Sequence, residues 1–276
     1  MTTARFTSGH VGGKANVLGV LVDATDYNRT VDDILRAAGE GRPLGVSALA
    51  VHGVMTGVAD RAHRFRLNSL DLVVPDGQPV RWALNHLYDA GLEDRVAGPA
   101  LMLRLCEAAA QAGLPVFFYG SGQQTLDRLR QRLEGRFPSL VIAGAEPSKF
   151  RRTTSDEKRQ IVDRIRESGA KLTFVGLGCP RQEVFAFEYR EALGMPVIAV
   201  GAAFAYHAGE LRQPSTWVER NGLEWLHRLV RDPRRLWKRY VVGNPLYLLL
   251  LAAQSVGLWR PRTDDARPPT TELRYG

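Results

Sequence analysis

Two cysteines, Cys106 and Cys179, are all that 276 residues contain. That is too few for a disulfide framework, and it fits a reducing compartment. The chain also lacks the roughly 18 uninterrupted apolar residues that a spanning helix needs. Its nearest stretch, PLYLLLLAAQSVGLW at 245–259, is broken by Gln254, Ser255 and Gly257. The opening MTTARFTSGHVGGK has no apolar segment, so no secretory signal is expected. No G-x-x-x-x-G-K-[ST] occurs, which disfavours a P-loop NTPase. No complete G-x-G-x-x-G follows a first strand, which counts against a dinucleotide-dependent oxidoreductase. Acids are outnumbered, 29 Asp/Glu against 37 Lys/Arg, for a net charge of +8.

What is present is an alternation. With 45% hydrophobic residues, the chain can bury the core of one large domain, with or without an appendage. Short apolar, β-branched runs at 16–22, 44–51, 70–74, 115–120, 140–144, 171–176 and 196–201 read as buried parallel strands. Helical patterns of about 10–16 residues separate them. One, TTSDEKRQIVDRIRESGA, carries a Thr or Ser cap, early acids and a terminal Gly. The pattern predicts an α/β fold with a Rossmann-like parallel sheet over 16–215, after a flexible N-terminus at 1–15. Beyond about residue 215 only helices are expected, over 216–260, followed by a disordered tail at 261–276.

Ligands of such sheets bind beyond the carboxyl ends of the strands, so the loops there matter most. In SALAVHGV, Ser47 and His52 flank a strand end; a lone His there is more often structural than functional. In VVPDGQPVRW, the turn presents Asp76, followed by Gln78. Asp-Gly is ordinary turn chemistry, yet a carboxylate at this edge is also placed to act as a general base. No second carboxylate or His at close spacing completes a metal site around it. In DRVAGPALM, Arg95 precedes Gly-Pro and a helix, as a phosphate clamp does, although a surface ion pair explains it equally well. FFYGSGQQT and TFVGLGCPRQE place Gly120 and Gly122, then Gly176 and Gly178 with Gln182 and Glu183, where strand turns into helix. Each G-x-G is weak by itself; two on one sheet suggest nucleotide binding. Cys179 reads as a small turn residue.

From Trp217 to Arg262 nine Lys/Arg stand against three acids, a net +6. Trp217, Trp225, Trp237 and Tyr240 interleave with them. Rings at headgroup depth and guanidinium groups on phosphates suit a membrane surface. A solvated helix face, or a non-catalytic nucleotide- or nucleic-acid-binding module with a basic tail, is the alternative.

Taken in order, LNSLDLVVPDGQPVRW, DRVAGPALM, GLGCPRQE and GLEWLHRLVRDPRRLWKRYVVGNP resemble the WecG/TagA/CpsF glycosyltransferases over about residues 16–250. The resemblance implies an inverting, metal-independent enzyme with no cofactor. Such an enzyme moves a sugar, often N-acetylmannosamine, from a UDP-sugar to a polyprenyl-diphosphate-linked glycan. It would work at the cytoplasmic, inner face of a bacterial plasma membrane in cell-surface polysaccharide synthesis, as a peripheral protein that needs no nucleic acid. A homo-oligomer is compatible with it. It implies that Asp76 is the catalytic base and that Arg95 stabilises the leaving diphosphate. The donor side would be Ser47, His52, Gln78, the four glycines, Gln182 and Glu183. Arg228, Arg235 and Arg239 would meet the membrane and the lipid diphosphate. Three positions depart from the common pattern: Ser-Ala-Leu-Ala at 47–50 for Thr-x-Asn-Ala, Phe204-Ala205 for Phe-Asp, and PDGQP for D-G-x-G. These leave the sugar open.

Overall fold

The computed structural model describes residues 13–276 apart from 213, 216, 219 and 220, and apart from the side chains of 228, 235, 238 and 239. The first apolar run does not enter the main sheet. It folds back as an antiparallel hairpin of β1 (Lys14–Val17) and β2 (Val20–Asp23). Leu18 and Gly19, at φ 56° and 91°, form its two-residue turn. Positive φ at both central residues matches the strand twist, and Asn16 Oδ1 takes the Gly19 N–H at 2.7 Å. The remaining six runs form one parallel sheet: β3 (Leu44–Leu49), β4 (Leu72–Pro75), β5 (Val116–Gly120), β6 (Ile142–Glu146), β7 (Leu172–Gly176) and β8 (Pro196–Ala199). Their spatial order is β4-β3-β8-β7-β5-β6.

The crossovers are α1 (Tyr27–Glu40), α2 (Val51–Ala59), α3 (Arg61–Asn68), α4 (Gln78–Tyr88), α5 (Gly98–Ala112), α6 (Gln123–Arg136), α7 (Ser155–Glu167) and α8 (Arg181–Leu193), with short α9 (Ala203–His207) after β8. The expected cap at the start of α7 is a full capping box between Thr154 and Glu157. Side chains alternate across the sheet and divide the core in two. Val73, Phe117, Tyr119 and Val197 join Phe185 and Tyr189 on one face. Val74, Phe118, Phe174 and Ile198 join Ile34, Leu101 and Phe204 on the other.

After α9 come α10 (Glu224–Arg231), α11 (Pro233–Trp237), one π-helical turn (Lys238–Val242) and α12 (Gly243–Ser255). The helix α12 is built into the molecule. Tyr247 is buried and donates to Pro79 O at 3.1 Å. Gln254 donates to Asn16 O at 2.8 Å and accepts from Leu18 N at 3.0 Å. No helix among the described residues is long and apolar enough to cross a membrane.

The expected disordered tail is instead seated on the core. Glu188 accepts the Leu273 and Arg274 N–H groups at 2.8 Å each, and Arg274 O accepts from Thr153 N at 2.7 Å. Arg152 and Tyr275 form a β-bridge. A buried carboxylate and a free backbone edge offer the tail bonds that its polar composition does not reveal. Of the N-terminus expected to be flexible at 1–15, residues 1–12 lie outside the described residues, while Lys14 and Ala15 already belong to β1.

Candidate active site

Asp76 stands just beyond β4, partly buried, with its own N–H bonded to Leu49 O at 3.1 Å. Pro75 O accepts from Val96 N at 2.9 Å, and Asp76 Oδ1 accepts from Gly98 N at 3.2 Å. These two bonds join the Pro-Asp-Gly turn to the segment that carries Arg95, so two residues 19 positions apart share one edge of the sheet. Gly98 is required there. A Cβ on it would lie 2.7 Å from Val200 O and 3.4 Å from Ala48 Cβ. Gly98→Ala should push the start of α5 off the sheet and cost about 1–3 kcal/mol, the usual range for overpacking. It should also lower turnover by displacing the donor that holds Asp76. Denaturation and kcat measured side by side check this, and unchanged values in both would refute it.

Ser47, Gln182 and Glu183 form one buried group beneath this edge. Glu183 Oε1 accepts from Gln182 Nε2 at 2.9 Å and from Ser47 Oγ at 3.4 Å. Gln182 Oε1 in turn accepts from Gly178 N at 3.1 Å. Burial raises the Glu183 carboxyl above its ordinary range, against the lowering effect of these donors. Glu183 therefore orients Gln182 from below rather than facing the edge itself. Gln78, first in α4, is buried, and His52 is partly buried near the start of α2.

The four candidate glycines separate into two kinds. A Cβ on Gly120 would lie 2.8 Å from the Gly176 carbonyl carbon, and one on Gly176 would lie 2.6 Å from the Phe204 ring. These two let β5, β7 and α9 pack together. Around Gly122 and Gly178 the same position is open space, so there the backbone could approach a ligand.

Sequence reasoning missed several neighbours. Tyr27 Oη accepts from Ala97 N at 2.9 Å. Burial pushes its phenol up to about 12, the Ala97 N–H opposes this, and the charge on Asp76 adds to the rise. His207 Nε2 meets Pro99 O at 2.8 Å and ties α9 to the start of α5. Glu224, first in α10, pairs both its carboxylate oxygens with the two terminal nitrogens of Arg95. No local signal reveals these; the partners are 70 to 129 residues apart. The side chains of Arg228, Arg235 and Arg239, named for the membrane and lipid diphosphate, lie outside the described residues.

One His/Cys/Glu group could offer ligand atoms among the described residues: His63, Cys179 and Glu183, within 4.8 Å of one another. It does not include Asp76. Zinc-type sites hold their donors at about 2.0–2.3 Å from the ion, so the three atoms would have to close up. Glu183 Oε1 is already engaged, and the Arg66 charge bears on His63. Glu183 Oε2 and His63 Nε2, by contrast, are buried with no hydrogen-bond partner, so two of the three donors are open. Burial first, and Arg66 second, push the His63 imidazole down to about 4. A depressed His is neutral in the fold, so its contribution is present above pH 6.5 and is lost as pH falls towards 4. The loss should total about 3 kcal/mol at roughly 1.4 kcal/mol per pH unit. Unfolding free energies of wild type and His63→Leu should converge by that amount across the window; parallel curves would show that His63 is not the source.

A family model described as "Glycosyl transferase WecG/TagA/CpsF family" matches residues 15–261. The chain belongs to the WecG/TagA/CpsF family of glycosyl transferases. Among its relatives is the N-acetylglucosaminyldiphosphoundecaprenol N-acetyl-beta-D-mannosaminyltransferase of Bacillus spizizenii. The two are 32% identical over 183 residues, 66% of this chain and 68% of the relative. The protein of the same name from Bacillus subtilis is 28% identical over 193 residues, 70% of this chain and 72% of the relative. This family member is therefore a glycosyltransferase, and its parallel α/β sheet agrees with the expected core.

Proposed function

We propose that this WecG/TagA/CpsF member transfers a hexose, N-acetylmannosamine or a close relative, from a UDP-sugar to a polyprenyl-diphosphate-linked glycan, with inversion and without a metal. The observation that carries this reading is the pairing of Asp76 and Arg95 at one edge by the Val96–Pro75 and Gly98–Asp76 hydrogen bonds. Asp76 takes the proton from the acceptor hydroxyl as that oxygen attacks the anomeric carbon. Arg95 takes the charge that grows on the departing diphosphate, a task a fixed guanidinium performs in place of a Lewis acid. Attack opposite the leaving group inverts the anomeric centre. Gln182, fixed by Glu183, and the open backbone at Gly122 and Gly178 would face the donor.

The names of the two Bacillus relatives support a lipid-linked acceptor. The appendage supports a position on the membrane: Trp217, Val230, Trp237, Val241, Val242, Leu248 and Leu249 are exposed amid a net positive segment. The loss of the Thr-x-Asn-Ala amide at Leu49 and of the Phe-Asp acid at Ala205 leaves the sugar undecided between N-acetylmannosamine and another hexose.

The test is UDP release by purified protein from a panel of UDP-sugars in EDTA, with and without a polyprenyl-diphosphate-linked acceptor. Acceptor-dependent release that survives EDTA is expected, and the donor that gives it names the sugar. Release that requires an added divalent ion would overturn the metal-free reading. No release from any donor, with no UDP binding either, would overturn the UDP-sugar reading.

A further inference from the structure

The Arg95 side chain is only 8% exposed, and both of its terminal nitrogens are held by Glu224, whose own side chain is 28% exposed. The arginine end is tied to the sheet, because the next residue, Val96, donates its N–H to Pro75 O at 2.9 Å. The carboxylate end belongs to the appendage. A carboxylate on an arginine fork presents two oxygens in the same planar, bidentate way that a phosphate does. A guanidinium this deep also needs an anion at all times, because a buried charge left without one costs several kcal/mol.

We infer that Glu224 is an intramolecular stand-in for the diphosphate, holding Arg95 while the site is empty and yielding it when the substrate arrives. This rests on reading Arg95 as the diphosphate clamp. The exchange is local. Gly222, at φ +68°, seats the start of α10 against α4, where a Cβ would come within 2.9 Å of the Trp82 ring and 3.4 Å of Gln78 Cβ. The rest of the appendage is anchored elsewhere, through Tyr247 to Pro79 and through Gln254 to the hairpin. Release of Glu224 thus frees the first turn of α10 without undocking α12. Binding of the diphosphate is thereby coupled to a movement of α10, the helix that begins two residues after Gly222. Glu224 is a positioning residue: it acts on the reaction through Arg95.

The test is UDP binding to the full chain by calorimetry, comparing wild type with Glu224→Gln, Glu224→Ala, Arg95→Ala and the Glu224→Ala/Arg95→Ala double variant. Removing the competitor should tighten UDP binding about tenfold in the Glu224 variants. Arg95→Ala should weaken it at least tenfold, and the double variant should bind no better than Arg95→Ala. Hydrogen exchange on the unmodified protein adds a measurement free of folding artefacts: UDP should speed exchange of the α10 amides. If the Glu224 variants bind UDP no tighter while Arg95→Ala binds it weakly, or if α10 exchange does not respond, Glu224 is a structural brace and the inference is wrong. If Arg95→Ala binds UDP as well as wild type does, the diphosphate reading of Arg95 is what fails, and the stand-in falls with it.

Discussion

Asp76→Asn should abolish most turnover while leaving the protein folded and able to bind UDP. Asparagine keeps the shape of the side chain and an oxygen to accept the Gly98 N–H, and the backbone bonds Asp76 N–Leu49 O and Val96 N–Pro75 O do not involve the carboxylate. What it loses is the capacity to take a proton. Loss of a general base typically lowers kcat by about 10²–10⁴-fold, so the variant should fall within that range with a UDP affinity within about twofold of wild type. The competing explanation is that Asp76 merely suits a tight turn, and it makes the opposite forecast. A turn residue that is compromised lowers the melting temperature and the folded fraction but not the rate per folded molecule. Measuring kcat, UDP affinity and thermal stability on the same preparation separates the two. Full activity in Asp76→Asn would falsify the base assignment outright.

Much of this architecture is legible in the sequence, and what is not has physical causes. Six of the seven apolar runs become the parallel sheet, the inner strands as short apolar segments covered on both faces and β6 as a half-buried edge. The seventh, NVLGVLV, contains a turn: Leu18 and Gly19 adopt positive φ, and a single Gly inside an apolar run looks the same whether the strand continues or reverses. Asp76 and Arg95 stand out in the sequence as candidates because each sits in a loop that follows a strand or precedes a helix. The group of Ser47, Gln182 and Glu183 was readable as residues but not as a network, since its members meet only after β3 and β7 take places separated by β8. The glycine loops mislead in a specific way. Gly120 and Gly176 permit a close approach, as the pattern implies, but what approaches is protein: the neighbouring strand and Phe204. Composition likewise misjudged the tail, because Glu188, a distant residue on α8, supplies the bonds that order it.

Replacing Leu246, Leu248 and Leu249 together by Gln should detach the protein from anionic vesicles without unfolding it. All three are on α12 and are 43%, 58% and 67% exposed, whereas Tyr247 between them is buried against α4. That contrast places the three leucines on the face of α12 opposite Tyr247, with much of their apolar surface open to solvent. Burying a leucine fully is worth about 1.5–3 kcal/mol; with half that area still to bury, the three together should give roughly 3 kcal/mol, or about a hundredfold in vesicle affinity. The basic residues of the segment add about 1 kcal/mol each near an anionic leaflet, and only that part should weaken as salt is raised. The triple variant should therefore keep its salt dependence while losing affinity at every ionic strength. Deleting the whole appendage is a poorer experiment, because it removes Tyr247, Gln254 and the tail bonded to Glu188 and so injures the core itself. Cosedimentation with vesicles containing an anionic lipid, at low and high salt, gives the reading. Unchanged binding in the triple variant would mean that the leucines face something other than lipid and that charge alone holds the protein to the surface.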